Sequence, residues 1–350
     1  MPFLIVDGVR MPAEPGDTFL EAMQRASSIP ALSCYAGDCG ACKCEYVSGA
    51  ITELDDIASA LSPAERARNI VLGCRTEIRD DVEIRSIYDA ECVVHPLRAL
   101  HCRVSALDEL THDIKRFRLT IDAGGPFEFS AGQYAKVTFA RGIHREYSMA
   151  NPPHDPMLEF HVRRTANGLA SNHVHRELAI GDRVEVEGPL GSCYLRAQHC
   201  GPILLAGGGS GMAPMLSILE SALQLGMTQP IRLYFGVREQ RDVYGAERLA
   251  ELAARHPNFR FDIVLSSFGD EVAAAAVYRT GMLHEVIAGD WPQLEVGKAY
   301  LAGPPVMVEA VSKLLRERGV ALRDIHADAY YTEAEKAKLQ PAHATPAGFR

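Results

Sequence analysis

Four cysteines fall within eleven residues, "CYAGDCGACKC" from Cys34 onward, and another follows in "IVLGCRTEI" as Cys74. Cys34, Cys39 and Cys42 form a C-x4-C-x2-C pattern, with Cys74 a further 32 positions along. Thiolates spaced in this way wrap one side of a two-iron, two-sulfur cluster in a tight loop and close the other side from a distant strand. Gly37, Gly40 and Ala41 keep that loop small, so backbone amides can approach the bridging sulfides. A structural zinc site usually shows two C-x2-C pairs, and here there is one. The metal ligands are therefore expected to be Cys34, Cys39, Cys42 and Cys74. Cys44, on the strand leaving the loop, reads as a small packed thiol. Cys92, Cys102, Cys193 and Cys200 are scattered and carry no assigned role.

A second group of chemistry-bearing residues lies in "REYSMANPP". Alternation along a strand puts Arg145 and Tyr147 on one face, a phosphate-binding cation beside an aromatic platform, with the Ser148 hydroxyl next to them. Taken alone, R-x-Y-S also fits an ordinary strand surface. The next strand ends in "FHVRR", and "NGLASNHVHREL" then opens a helix whose first amides, from Gly168 through Leu169, Ala170 and Ser171, suit a diphosphate. A third group is the glycine loop "AGGGSGMAP", from Gly207, Gly208 and Gly209 to Ser210 and Gly211, set between a strand and a helix where a diphosphate meets the helix dipole. It does not fit G-x-G-x-x-G. "YLAGPPVMVEA" brings Gly303 and Pro304, and "HADAYY" ends in Tyr330 and Tyr331, which also fit a packed strand end.

Three kinds of element must hold these groups. "FLIVDGVR" predicts a hairpin, "TFLEAMQRAS" a short amphipathic helix opened by Asp17 or Thr18, and "DVEIRSI" a closing strand, together a small mixed sheet crossed by a helix. "VVHPLRAL" predicts a linker near His95 to Leu97. The strands "HCRVSAL", "IKRFRLT", "QYAKVTF", "REYSMA" and "LEFHVRR" alternate with turns and predict an antiparallel barrel. From "PILLAGG" to "VMVEAVSKLLRERG" strands alternate with helices, which predicts a doubly wound parallel sheet. The tail "EKAKLQPAHATPAGFR" reads as a flexible extension.

A chain of 350 residues suits two or three domains, and 47% apolar with 23% charged residues is a globular composition. "MPFLIVDGVRMP" is too short and polar for a signal peptide, and no apolar run is long enough to span a membrane, so a cytoplasmic protein without a membrane partner is expected. An odd count of nine cysteines favours metal binding over disulfides. The net charge of −9 argues against a nucleic-acid partner. Residues 1 to 94 hold 16 Asp and Glu against 8 Lys and Arg, a balance of 8 − 16 = −8, so nearly all of the excess sits on the cysteine-bearing segment. That segment offers either plain solubility or an acidic docking face.

On its cysteine spacing the first segment resembles the plant-type ferredoxins, which implies a β-grasp fold with the four named cysteines as ligands. On "REYS", "FHVRR" and the Gly168 to Ser171 turn, the middle segment resembles the flavin domain of the ferredoxin-NADP reductase superfamily. That resemblance implies that Arg145 contacts the FAD phosphates, Tyr147 packs on the isoalloxazine and Ser148 approaches the reactive nitrogen, making Tyr147 and Ser148 the catalytic pair. His161, Val162 and Arg163 correspond to further flavin contacts. "AGGGSGMAP" resembles the superfamily's pyridine-nucleotide loop, with Ser210 where Thr is common. Ala302 departs from the Cys that relatives often place before Gly303. "FGDE" after "DIVLSS" supplies no nearby Arg for a 2′-phosphate, which favours NADH over NADPH. Tyr330 stands where relatives carry an aromatic near the flavin.

In order, the expected domains are a ferredoxin domain over 1–92, an FAD-binding barrel over 97–200, a nucleotide domain over 201–331 and a tail over 332–350. The whole resembles the reductase components of bacterial ring-hydroxylating dioxygenases. It implies an NADH-dependent reductase that splits the electron pair of a hydride through FAD and a 2Fe-2S cluster for a terminal oxygenase of Rieske type, directly or through a separate ferredoxin. The alternatives are the reductase of a diiron monooxygenase of the phenol or alkane type, the reductase of a sugar-deoxygenation system, or a redox sensor.

Overall fold

The computed structural model describes residues 2–26, 42–54, 61, 66–86, 93, 95–267 and 278–331. The chain divides into two units, residues 1–89 with 330–350 and residues 90–329.

The first unit is built on strands β1 (Phe3–Val6) and β2 (Val9–Pro12), helix α1 (Phe19–Arg25), and strands β3 (Lys43–Glu53), β4 (Ile70–Leu72) and β5 (Thr76–Ser86). Its sheet runs β2-β1-β5-β3-β4, with β1 parallel to β5 and the other pairs antiparallel, a β-grasp order. Thr18 opens α1 by a reciprocal cap: the Glu21 amide donates to the Thr18 hydroxyl at 3.3 Å, and the Thr18 amide donates to the Glu21 carboxylate at 2.8 Å. Such a cap stabilises a short helix by about 1 kcal/mol. The apolar face it fixes, Phe19, Ala22 and Met23, packs with Leu4, Ile78, Val82 and Ile84 of the sheet.

The second unit opens with six antiparallel strands, β6 (Arg98–Glu109), β7 (Ile114–Ala123), β8 (Tyr134–Ala140), β9 (Ile143–Ser148), β10 (Met157–Arg163) and β11 (Arg183–Leu190), and one helix, α2 (Leu169–Arg176). The order is β10-β7-β6-β11-β8-β9, and a bridge from Met149 to Phe160 brings the two edge strands together. The sheet therefore curls into a barrel around Phe117, Leu119, Val137, Phe160 and Val186. β11 pairs with both β6 and β8, and its alternating Val184 and Val186 face the core.

A parallel sheet follows, with strands β12 (Ile203–Gly208), β13 (Ile231–Val237), β14 (Phe259–Leu265), β15 (Arg279–Thr280), β16 (Lys298–Gly303) and β17 (Ile325–Ala329). Its helices are α3 (Met212–Gln224), α4 (Ala246–Arg255), α5 (Leu283–Asp290) and α6 (Pro305–Glu317). The order β15-β14-β13-β12-β16-β17 reverses direction between β12 and β16. Such a reversal opens a crevice at the carboxyl ends of the two strands, the usual ligand site of a doubly wound sheet. Helix α3 is buried almost throughout, and its Ser217 hydroxyl donates to the Asn151 carbonyl of the barrel at 2.7 Å. Among the described residues no helix is long and apolar enough to cross a membrane.

Candidate functional site

Strand β9 carries Arg145, Tyr147 and Ser148, paired to Val137, Ala135 and Tyr134 of β8. The Tyr147 ring is held edge-on between Phe117 and Phe139, each with centroids 6.3 Å away. Its hydroxyl is buried and has no partner among the described residues, and burial holds its pKa above the usual phenol value. An unmet buried hydroxyl costs about 1–3 kcal/mol, a penalty that a polar ligand removes. This orphaned group would suit a ligand rich in oxygen acceptors, as a flavin nucleotide is.

Helix α2 packs beside β9 and β10, and Gly168 caps it without any side-chain cap of its own, so the first amides of Leu169, Ala170 and Ser171 stay available. Thr165 and Ser171 join side chains at 3.0 Å under that turn, and a Cβ on Gly168 would come within 2.1 Å of the Thr165 hydroxyl. Only glycine fits there. Val162 lies in the barrel core, while His161 and Arg163 face away from it. His161 is 6% exposed, with one ring nitrogen 3.0 Å from Glu159 and the other 3.2 Å from the Tyr244 hydroxyl. Its ring is thus occupied by protein, and any flavin contact at His161 falls to its backbone. Arg163 is pinned through Nε to Asp113 at 2.7 Å, and its Nη1 comes within 3.1 Å of where a Cβ would stand on Gly209. Its guanidinium therefore lies beside the glycine loop.

The crevice between β12 and β16 holds both halves of the expected nucleotide site. Gly207 pairs with Ala302. A Cβ on Gly208 would lie 2.6 Å from the Met307 sulfur and 2.8 Å from Pro304, and one on Gly211 would lie 2.1 Å from the Ala302 carbonyl. Gly303, with φ of +137°, packs its backbone against Gly208. The two loops thus touch backbone to backbone, and side chains there would fill the cradle. Ser210 sits half-buried at the mouth of this loop, ahead of the amino end of α3. That combination fits a dinucleotide diphosphate. Phe268 to Glu271, on which the preference for NADH rests, lie outside the described residues.

One contact joins the two sheets at the expected hydride site: the Ser148 hydroxyl donates to the Asp328 carboxylate of β17 at 3.3 Å. Sequence reading passed over Asp328, whose only signal was its place two residues before Tyr330. Tyr330 itself follows β17 directly and is half-buried.

In the first unit, the Cys42 and Cys74 sulfurs lie 3.2 Å apart, buried with Leu20, Leu61, Ile70 and Leu72. Two soft thiolates this close fit the ligand shell of a single iron atom. Gly73 donates its amide to the Cys42 carbonyl at 2.8 Å and so ties the two segments together. Cys34 and Cys39 lie outside the described residues. Cys44 is packed in the core, and burial, helped by Cys42, raises its thiol pKa.

Residues 4–79 match the 2Fe-2S iron-sulfur cluster binding domain family, residues 101–194 the oxidoreductase FAD-binding domain family, and residues 205–313 the oxidoreductase NAD-binding domain family. The chain is 42% identical to the ferredoxin–NAD(P)+ reductase component of the naphthalene 1,2-dioxygenase/salicylate 5-hydroxylase systems of Ralstonia sp., over 91% of this chain and 95% of that one. It is 38% identical to the corresponding component of the naphthalene 1,2-dioxygenase system of Pseudomonas putida, over 92% and 95%. Among solved structures it resembles the Amycolatopsis cytochrome P450 reductase GcoB, with a TM-score of 0.72 at 37% identity, over 94% of this chain and 98% of that one. With the three cofactor-binding domains in the same order along nearly the whole length of these relatives, the chain belongs to the family of iron–sulfur flavoprotein reductase components of multicomponent oxygenase systems.

Proposed function

We propose that the chain draws electrons from NADH and delivers them to the terminal oxygenase of a Rieske-type ring-hydroxylating system, directly or through a separate ferredoxin. When bound, FAD would take one hydride, and with it an electron pair, from the nicotinamide, and the 2Fe-2S cluster would pass those two electrons on singly, which is what an oxygenase metal centre accepts. The observation that carries the flavin-reducing half is the meeting of Ser148 and Asp328 beside the β12/β16 crevice. Ser148 holds its hydroxyl, oriented by the Asp328 carboxylate, where the reactive ring edge would lie. Tyr147 supplies an apolar wall and a buried hydroxyl. Arg145 supplies charge for the flavin phosphates, and Gly168 to Ser171 supply amides. Gly207 to Gly211, with Gly303 and Pro304, shape the nucleotide cradle, and Arg163 adds a cation over it. Cys42 and Cys74, with Cys34 and Cys39 completing the set, hold the cluster.

A ring-hydroxylating oxygenase partner is supported by the names of the Ralstonia and Pseudomonas relatives, which are components of naphthalene 1,2-dioxygenase systems. A cytoplasmic location goes with this reading, because NADH is a cytoplasmic donor. A second reading, delivery to a cytochrome P450, is favoured by the likeness to the Amycolatopsis reductase.

The test is anaerobic addition of NADH to the purified protein, followed by titration with a Rieske oxygenase, a Rieske ferredoxin and a P450. Flavin bleaching, then a rhombic electron paramagnetic resonance signal, then reduction of a Rieske centre is the expected sequence. Bleaching without a cluster signal sinks the electron route. Reduction of the P450 alone moves the partner to the second reading. A preference for NADPH in the bleaching step overturns the donor assignment.

A further inference from the structure

Between the barrel and the glycine loop runs a buried line of polar groups that the hydride chemistry leaves unused. Arg118 of β7 donates through Nε to Glu159 at 2.7 Å, and Glu159 lies 3.0 Å from His161 Nε2. His161 Nδ1 is 3.2 Å from the Tyr244 hydroxyl, which is 3.3 Å from the Gly209 carbonyl. His161 and Tyr244 are each 6% exposed, and Tyr244 is braced edge-on by Phe235 with centroids 5.4 Å apart. The line thus starts in the barrel and ends on the main chain of the nucleotide loop.

Proton counting makes this line more than a strut. Glu159 is ionised and only accepts, so His161 Nε2 must carry a proton. Tyr244 has one proton and two acceptors. With neutral His161, Nδ1 is a lone pair and takes the Tyr244 proton, leaving the Gly209 carbonyl without it. With doubly protonated His161, Nδ1 donates to the Tyr244 oxygen, and the hydroxyl proton is free to reach Gly209. The charged groups around the ring are Glu159 on its own strand, Arg116 and Arg118 from β7, and Arg248 of α4, itself paired to Glu220 of α3. Burial lowers the His161 pKa, and Glu159 works against that. An anionic diphosphate arriving at Gly209 adds a negative charge at the end of the line and favours the charged ring.

We propose that Tyr244 is a positioning residue for the nicotinamide nucleotide, its hydroxyl moving between His161 and the Gly209 carbonyl so that nucleotide binding is linked to proton uptake by His161. This rests on the reading of Gly207 to Gly211 as the nucleotide loop. Linkage makes the effect reciprocal: a nucleotide that draws a proton onto His161 binds more tightly as pH falls through the range in which that ring titrates.

The experiment uses the full-length holoenzyme and NAD+, with binding titrations from about pH 8 to about pH 5 and an indicator dye in weak buffer to count protons. Expected for the unaltered protein is a dissociation constant that falls by about three- to tenfold toward acid, with net proton uptake on binding. In Tyr244→Phe and in His161→Gln that slope and that uptake vanish. Affinity independent of pH in the unaltered protein overturns the proposal, as does an equal slope in Tyr244→Phe. If Tyr244→Phe does not fold, His161→Gln decides by the same two readouts. Failure of NADH to bleach the flavin at any pH would instead count against the proposed function, so the two failures are distinguishable.

Discussion

The Ser148 hydroxyl and the Asp328 carboxylate lie 3.3 Å apart and 180 positions apart in the chain, one on a barrel strand and the other on the last strand of the parallel sheet. Hydride transfer needs donor and acceptor rings held face to face, and this contact ties the sheets that would hold them. Ser148→Ala and Asp328→Asn are each expected to slow the limiting rate of flavin reduction by about tenfold, the worth of one oriented hydrogen bond, with nucleotide affinity little changed. Stopped-flow reduction at saturating NADH checks this. A raised dissociation constant with an unchanged limiting rate would contradict it.

Arg163 presents its guanidinium to Gly209 while Asp113 holds its Nε. Arg163→Ala is expected to weaken NAD+ binding by about ten- to a hundredfold, the range of a charge-assisted hydrogen bond, and to flatten its salt dependence. Bound-flavin content should not change. Loss of FAD with intact NAD+ binding would assign Arg163 to the flavin.

Cys74 and Cys42 share one buried corner. Cys74→Ser is expected to lower cluster content and the reduction of a cluster-dependent acceptor by more than about 100-fold, because even outer groups around a metal cost ten- to a hundredfold. Ferricyanide reduction through the flavin should survive. Iron analysis and the two assays, run side by side, decide it.

Glu159 is buried, which by itself raises its pKa, but His161 and Arg118 outweigh that and bring it down to about 2. A carboxylate depressed in the folded state contributes stability that is complete above its unfolded pKa of about 4.3 and is lost as pH falls toward 2. Acid unfolding should therefore steepen between these values. Glu159→Gln should unfold more readily at neutral pH, by on the order of a few kcal/mol, and lose much of that acid dependence. Urea melts at about pH 7 and about pH 3 measure both.

The acidic excess on residues 1 to 94 predicts electrostatic docking. Turnover with an oxygenase partner should fall by about tenfold between roughly 0.1 and 1 M salt, while ferricyanide reduction changes by less than about twofold. Equal salt responses in the two assays would remove docking from the acidic segment.

By itself, the sequence determined what is encoded by local spacing. The cysteine pattern, R-x-Y-S on an alternating strand, and a glycine loop between strand and helix are each read within about a dozen residues, because dihedral freedom and side-chain period act over that range. The parallel sheet was legible for the same reason, since fully buried strands such as Ile203–Gly208 are continuous apolar runs. Strand β11 escaped because only Val184 and Val186 face inward between charged neighbours, and the two-residue β15 offers no period to read. The tertiary structure decided the rest. Which way Arg163 faces, that His161 turns away from the barrel core to meet Tyr244 83 positions on, and that Asp328 reaches Ser148 all depend on how the curled barrel meets the reversal point of the parallel sheet. Those meetings depend on strand order, and strand order is set by packing between segments far apart in the chain, which no local spacing encodes.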